Sequence, residues 1–345
     1  AGLRLERAIG DRALEAEAGL QLGRFQRMAG DPGSADTLFN AVVSAESAKL
    51  PELAVRAWAE WIYENSTQDV GYSTITGVYP KAEDALHRAG DDPLLTALLR
   101  NDQGVVVLEL VLDDASEKLF REALALRESA LGPDHPRVAE VLDNLGNVLA
   151  SRASNAEDPA LHQQLLEEAL AVGQRGLQIR QRALGAANPA VAHSLHNVGA
   201  TLEDLDRYDE AKDMLTRALA LKEEVLGKDH VEVGTTLIEL SQVEEDLGHL
   251  EDAAALSQRA LDVWRKVDGH SIRYPLEKTA QRLVALGRFD EAIAAYEEVA
   301  SIMKTPTAKA PWQRFAAEAR IEAGDVKTAL TTLQDLVAME AESYS

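Results

Sequence analysis

Residues 196–234 read HNVGATLEDLDRYDEAKDMLTRALALKEEVLGKDHVEVG, and the order of residue types in this stretch decides the fold. Leu195, Val198, Gly199 and Leu202 step at three and four residues, and Ala211, Leu215, Ala218 and Leu221 do so again after the turn LDRYDEA. Apolar steps of that size gather on one side of a helix, so the stretch predicts two amphipathic helices joined by a tight turn. Neither helix can hide its stripe alone.

The same phrase recurs on both sides. ALALRESALGPDHPRVAEVLDNLG from Ala123, GLQIRQRALGAANPAVAHSLHNVG from Gly176 and ALALKEEVLGKDHVEVGTTLIELS from Ala218 superimpose so that Leu131, Leu184 and Leu226 coincide, as do Gly132, Gly185 and Gly227. The glycines lie 53 and then 42 residues apart, and the excess of 11 falls in SRASNAEDPALHQQ, Ser151 to Gln164, which reads as an insertion into the loop between two helices. Small residues mark where paired helices approach most closely: Gly104, Gly146, Gly199, Ser241, Ala280 and Ala317 in one register, Ser116, Ala211, Ala253, Ala292 and Ala329 in a second. A bulky side chain there would cost about 1–3 kcal/mol. In the connector LGPDHPRVA, Gly132 suits a left-handed helix end, Asp134 a cap of the next helix and Pro136 its first turn.

With DNLGNVL at Asp143, the stretch from His196 and VALGRFDEAIAAYEEVA from Val284, the chain resembles tetratricopeptide repeat proteins, in particular the 42-residue variety of kinesin light chains and many bacterial proteins. The match runs from Leu94 to Val299 and thins toward both ends, where RIEAGDVKTALTTLQDL from Arg320 still fits a shortened unit. The resemblance implies an all-α, right-handed superhelical solenoid of eight antiparallel helix pairs. The boundaries read here are 11–50, 51–90, 93–132, 135–185, 188–227, 230–268, 271–304 and 311–342. As domains, these form divergent N-terminal repeats over 1–92, a regular array over 93–308 with the loop insertion near 151–164, and a C-terminal capping pair over 309–345. Trp58, Trp61 and Tyr63 in RAWAEWIYENSTQ are expected as core filler.

Composition narrows the function. The 345 residues carry 58 acidic and 35 basic side chains, a formal charge of −23 that repels phosphate backbones and argues against a nucleic-acid partner. With no cysteine there is no thiolate metal site and no cysteine nucleophile. The longest strongly apolar run, VVVLELVL from Val105 to Leu112, is too short for a membrane span. The first residues already read as helix, the expectation for a segment of a longer parent. No phosphate loop, dinucleotide fingerprint, nucleophile elbow or kinase motif is present, so no catalytic residue and no cofactor is assigned.

His135 and His230 each follow an Asp in a repeat connector, and their recurrence favours a structural role. His193 and His196, one turn apart, could clamp a metal, but no third ligand is identifiable and a polar groove wall is the reading adopted. Acidic runs such as Glu203–Asp204 and Glu244–Glu245–Asp246 read as solvated helical faces.

The resemblance implies that the first helix of each pair lines a concave groove. Its asparagine positions correspond to Asp143 and Asn144, His196 and Asn197, Ile238 and Glu239, then Glu277 and Lys278, and in related repeats the second of each pair clamps a peptide main chain. Asp143, Asn144, Asn147, His193, His196, Asn197, Glu239, Gln242, Lys278 and Gln281 are the candidate groove residues. Glu239 and Lys278 depart from the pattern, which suggests selection by charge. From Asn188 to His270 acidic side chains exceed basic ones by ten, predicting a basic protein or peptide partner whose binding weakens with salt. The phrasing also resembles the arrays that follow the catalytic domain in bacterial Ser/Thr kinases. A cytoplasmic regulatory module of such a kinase is therefore the leading expectation. A free-standing kinesin-light-chain-like adaptor, or the arm of a transcription regulator or another enzyme, is the alternative.

Overall fold

The computed structural model describes residues 2–29, 31–66, 72–109, 113–266 and 272–343. Among them all regular structure is helical, in two compact units, Ala1–Ala186 and Ala187–Ser345. The first holds α1 (Gly2–Met28), α2 (Ser34–Ser47), α3 (Pro51–Ser66), α4 (Tyr72–Thr76), α5 (Tyr79–Arg88), α6 (Pro93–Glu109), α7 (Asp113–Leu131), α8 (Pro136–Ser154) and α9 (Pro159–Leu184). The second holds α10 (Pro189–Asp204), α11 (Tyr208–Leu226), α12 (Val231–Asp246), α13 (Leu250–Arg265), α14 (Arg273–Ala285), α15 (Phe289–Ile302), α16 (Pro306–Glu322) and α17 (Val326–Ser343).

The eight expected hairpins are present as α1/α2, α3/α5, α6/α7, α8/α9, α10/α11, α12/α13, α14/α15 and α16/α17, with the five-residue α4 interposed in the second. The boundary expected near 268–271 lies outside the described residues. Two boundaries move. The first helix extends back to Gly2, and the last hairpin starts at Pro306 instead of 311. There Thr305 caps the helix by accepting from the Ala308 amide at 3.2 Å, and Pro311 is carried inside. A proline one and a half turns in removes an amide donor without ending the helix.

The insertion is a correction of a different kind. Residues 151–164 do not form a loop: α8 runs on through Ser154, α9 begins at Pro159, and only four residues separate them. The extra chain lengthens both helices, to 19 and 26 residues against 16 and 19 in α10 and α11. Asp158 caps α9 by accepting from the Ala160 amide at 3.0 Å, with Pro159 in its first turn, and Ser151 and Asn155 hydrogen-bond Asp113 at the start of α7. Helix-forming residues flank the polar stretch on both sides, so the cheapest way to absorb the extra length is more helix.

Both small-residue registers are buried throughout. A Cβ on Gly104 would lie 2.7 Å from the Phe120 ring, and one on Gly199 would lie 2.7 Å from Leu215 Cγ. Ser116 donates to the Gly104 carbonyl at 2.8 Å, tying the two registers together. Connector glycines Gly132, Gly185 and Gly227 have φ of 83 to 87°, open to glycine at little cost, but at Gly185 and Gly227 ψ is 155°, so the chain leaves the helix extended and not in the left-handed conformation expected. The cap that follows belongs to the histidine, not to Asp134: His135 Nδ1 accepts from the Arg137 amide at 3.1 Å and His230 Nδ1 from the Glu232 amide at 3.2 Å. Asn188 does the same for Ala190 at 3.0 Å. Trp58 and Trp61 are buried edge to face 6.0 Å apart, while Tyr63 is half-buried under the Arg27 guanidinium.

Candidate functional site

Each first helix offers one outward row of side chains, and the two units carry different chemistry on it. In the first unit Asp143 is withdrawn from that row. It is 4% exposed, ion-paired to Arg180 of α9, and its Oδ1 would lie 2.9 Å from a Cβ on Gly176. Asp143 therefore holds its own hairpin together. Asn144, half-buried, donates through Nδ2 to Asn101 Oδ1 at 3.0 Å, and Asn101 donates to Asp102 at 2.9 Å. Burial pushes the Asp102 carboxyl well above its ordinary range. Asn147 is exposed. Beside this ladder, a cavity of about 470 Å³ opens between α1, α3, α6 and α8, floored by Leu20, Leu95 and Leu98 and rimmed by Arg56 and Arg137.

In the second unit His193 is exposed, with its Nε2 3.3 Å from Asn197 Nδ2. His196 faces neighbouring helices: its Nδ1 lies 3.3 Å from Thr236 Oγ1, and burial, then Lys222 and His193, hold its pKa down at about 3. One nitrogen of each ring is thus engaged locally, His193 with Asn197 and His196 with Thr236. Three other side chains do converge: Glu244, His249 and Asp252 bring one ligand atom each within 4.8 Å. Glu244 already accepts from His249 and Lys212, both at 2.8 Å. His249 stands where Arg207 and Arg288 stand in the neighbouring turns, each ion-paired to the glutamate three residues on. The cluster locks a turn.

Glu239 is half-buried, its carboxyl pushed up by burial and then by Asp204. Glu203 behaves alike, raised to about 7 by burial, then by Asp204, Glu239 and Asp246, with Lys278 opposing. Gln242 is partly committed, accepting from Arg282 at 3.2 Å. Lys278 is half-buried, its Nζ 5.8 Å from the Tyr274 ring centre, and Gln281 is exposed. The row along α10, α12 and α14 thus presents Asn197, Glu239 and Lys278 at one register, in a field of carboxylates too crowded for all to be charged at neutral pH.

The sequence reading missed a set of buried cations. Arg127, Arg180 and Lys222 are 3, 9 and 4% exposed and occupy one position of the second helix, 53 and 42 residues apart. They pair respectively with Glu140, Asp143 and Glu232. The signal was present: the overlay that aligns Leu131, Leu184 and Leu226 aligns a basic residue four positions before each.

Comparison with known proteins agrees with this architecture. A family model described as tetratricopeptide repeat matches residues 95–158, 160–224, 196–266 and 232–305, more than half the chain. Among solved structures, the TPR-like repeats of a kinesin light chain from Podosopora anserina share 19% identity, with a TM-score of 0.52 over 61% of this chain and 98% of that one. BtubC (BKLC) from P. vanneervenii shares 19% identity, with a TM-score of 0.51 over 77% of this chain and 93% of that one. A Rap protein complexed with Competence and Sporulation Factor shares 12% identity, with a TM-score of 0.61 over 96% and 88%. Identities this low speak for the fold alone. A search of curated proteins returns no match. No helix among the described residues is long and apolar enough to cross a membrane.

Proposed function

Because the chain belongs to the tetratricopeptide repeat family, we propose that it is a non-catalytic binding module whose second unit holds an extended basic segment of a protein partner along α10, α12 and α14. One observation carries this reading: Asn197, Glu239 and Lys278 stand at the same register of three successive first helices, at least partly open to solvent, among Glu203, Asp204 and Asp246. An amide offers a donor and an acceptor to a peptide bond, and the surplus of acidic over basic side chains on this unit favours an incoming Lys or Arg. The solved Rap neighbour, complexed with Competence and Sporulation Factor, lends support at the level of the fold. Asp143 and His196, tied into packing, leave the set of contact residues in this reading. The kinase-associated, cytoplasmic form of the proposal is supported by the resemblance of the repeat phrasing to arrays that follow bacterial Ser/Thr kinase domains.

A randomised peptide library selected on the protein tests it. Selected peptides should be enriched in Lys and Arg, and their affinity should fall between 50 and 300 mM salt as charges beyond about 8–10 Å are screened. Glu203 holds a proton below about pH 7, so affinity should rise from pH 6 to pH 8 as it ionises. Asn197→Ala should weaken binding about three- to tenfold, the worth of one or two lost hydrogen bonds. Selection without basic enrichment, or affinity indifferent to salt and pH, would reject the proposal.

A further inference from the structure

The register of buried cations runs Arg127, Arg180, Lys222, and only the third is a primary amine. A guanidinium stays charged wherever it is placed, whereas a desolvated Lys can give up its proton and become a nucleophile. The partners differ in the same sense. Arg127 bonds the Glu140 carboxylate at 2.7 Å and the Arg137 carbonyl besides, and Arg180 is ion-paired to the buried Asp143. Lys222 meets the Glu232 carboxylate at the longer distance of 3.5 Å, and that carboxylate is 49% exposed, so water competes for it. Among the lysines Lys222 alone is buried.

A cavity opens beside this amine. It has a volume of about 270 Å³, lies among the start of α10, the end of α11 and the start of α12, and is walled by Ala190, Ala192, Leu221, Val225 and Leu226. Its polar groups are Lys222, His193 and Glu232. An apolar hollow of about 150 Å³ already holds a benzene ring, so one nearly twice as large has room for a ring with a substituent. Burial lowers the Lys222 pKa, with Glu232 opposing, which raises the share of neutral amine. His196 of α10, held at a pKa of about 3, is neutral beside it and adds no charge.

We propose that Lys222 is a covalent capture site for a small uncharged aldehyde, which enters this cavity and condenses with the buried amine. The condensation needs no other reactant. The Nζ lone pair forms a bond to the carbonyl carbon while the carbonyl π pair moves onto oxygen, which takes one proton from nitrogen. The hydroxyl then leaves with the second nitrogen proton as water, and a C=N double bond remains. The walls select the aldehyde: they admit an alkyl or aryl group, and with Glu232 at the amine they disfavour one bearing a carboxylate or a phosphate. The product is a neutral imine, which a desolvated site holds at lower cost than the ammonium it replaces. The site does not use the row of Asn197, Glu239 and Lys278, so it stands or falls separately from peptide binding.

Benzaldehyde with cyanoborohydride, which reduces each imine to a stable benzylamine, tests this on the full chain at pH 7, with labelled peptides quantified by mass spectrometry. Lys222 should be labelled at least about tenfold faster than the exposed Lys228, whose ammonium keeps its proton at that pH. The Lys222 rate should saturate with benzaldehyde concentration while the Lys228 rate rises in proportion. Glyoxylate, an anionic aldehyde, supplies the comparison for charge: measured against Lys228, Lys222 should prefer benzaldehyde to glyoxylate by about tenfold or more. Val225→Trp places a large ring at an exposed wall position, so it should leave thermal melting unchanged and slow the labelling of Lys222 by about tenfold while sparing Lys228. Labelling of Lys222 no faster than of Lys228, the same preference between the two aldehydes at both lysines, or a Val225→Trp protein labelled at the wild-type rate would each overturn the inference.

Discussion

Gly199 and Gly146 hold the same position in successive repeats and meet different neighbours. A Cβ on Gly199 would collide with Leu215, whereas one on Gly146 would find its nearest atom, the Ala169 carbonyl oxygen, at an ordinary 3.5 Å. Gly199→Ala is therefore expected to destabilise by about 1–3 kcal/mol, and Gly146→Ala to be neutral or stabilising through helix propensity. Thermal or urea unfolding of the two variants checks this, and equal losses would show that the register, and not the neighbour, sets the cost. The need for a small residue was legible from the repeat; what a methyl group would strike was not, because Leu215 and its counterpart Gly173 differ between repeats. Asp143 teaches the same lesson. Its place in the repeat suggested a groove, and only the fold reveals that Arg180, brought across the hairpin, takes the carboxylate inside.

Where helices begin, the connectors depend on a local choice that the sequence half disclosed. Gly132 and Pro136 stand at a helix end and a helix start as the spacing implied, yet the cap fell to His135, one residue past the aspartate expected to supply it. The extended backbone of His135, φ −74° and ψ 139°, sets its ring to accept the amide of the second helical residue. His135→Ala should cost about 1 kcal/mol in unfolding free energy, while His135→Asn, which copies Asn188 in the next connector, should restore most of it. A loss in both variants alike would mean that the imidazole matters for packing and not as an acceptor. Helix existence, pairing and most ends could be read from the three- and four-residue apolar steps. The fate of the 11 extra residues could not, since a polar stretch containing a proline is equally at home in a loop and in a new helix start, and Asp158 with Pro159 made it the latter.

Over the whole molecule the repeat pattern accounts for eight hairpins and for the faces each must bury, while the chemistry of the outward rows had to be seen in place. The sign of charge on the second unit was visible in its composition, but the crowding that lifts Glu203 depends on α10 and α12 lying side by side. Arrays of this kind have few contacts between residues distant in sequence, so each hairpin's stability is set by its own interface and its immediate neighbours. The fourth hairpin then has a special standing. Its helices of 19 and 26 residues, the second about 39 Å long, make its internal interface the most extended in the chain. Such a pair closes by joining segments adjacent in sequence, the least costly kind of closure, which makes it the natural place for folding to start and spread outward. Native-state hydrogen exchange should accordingly find the α8 and α9 amides at least about tenfold slower than those of α1 and α17, where large apolar side chains such as Phe25 and Val337 stand exposed. An insertion that lengthened one repeat would in that case have given the chain its seed crystal.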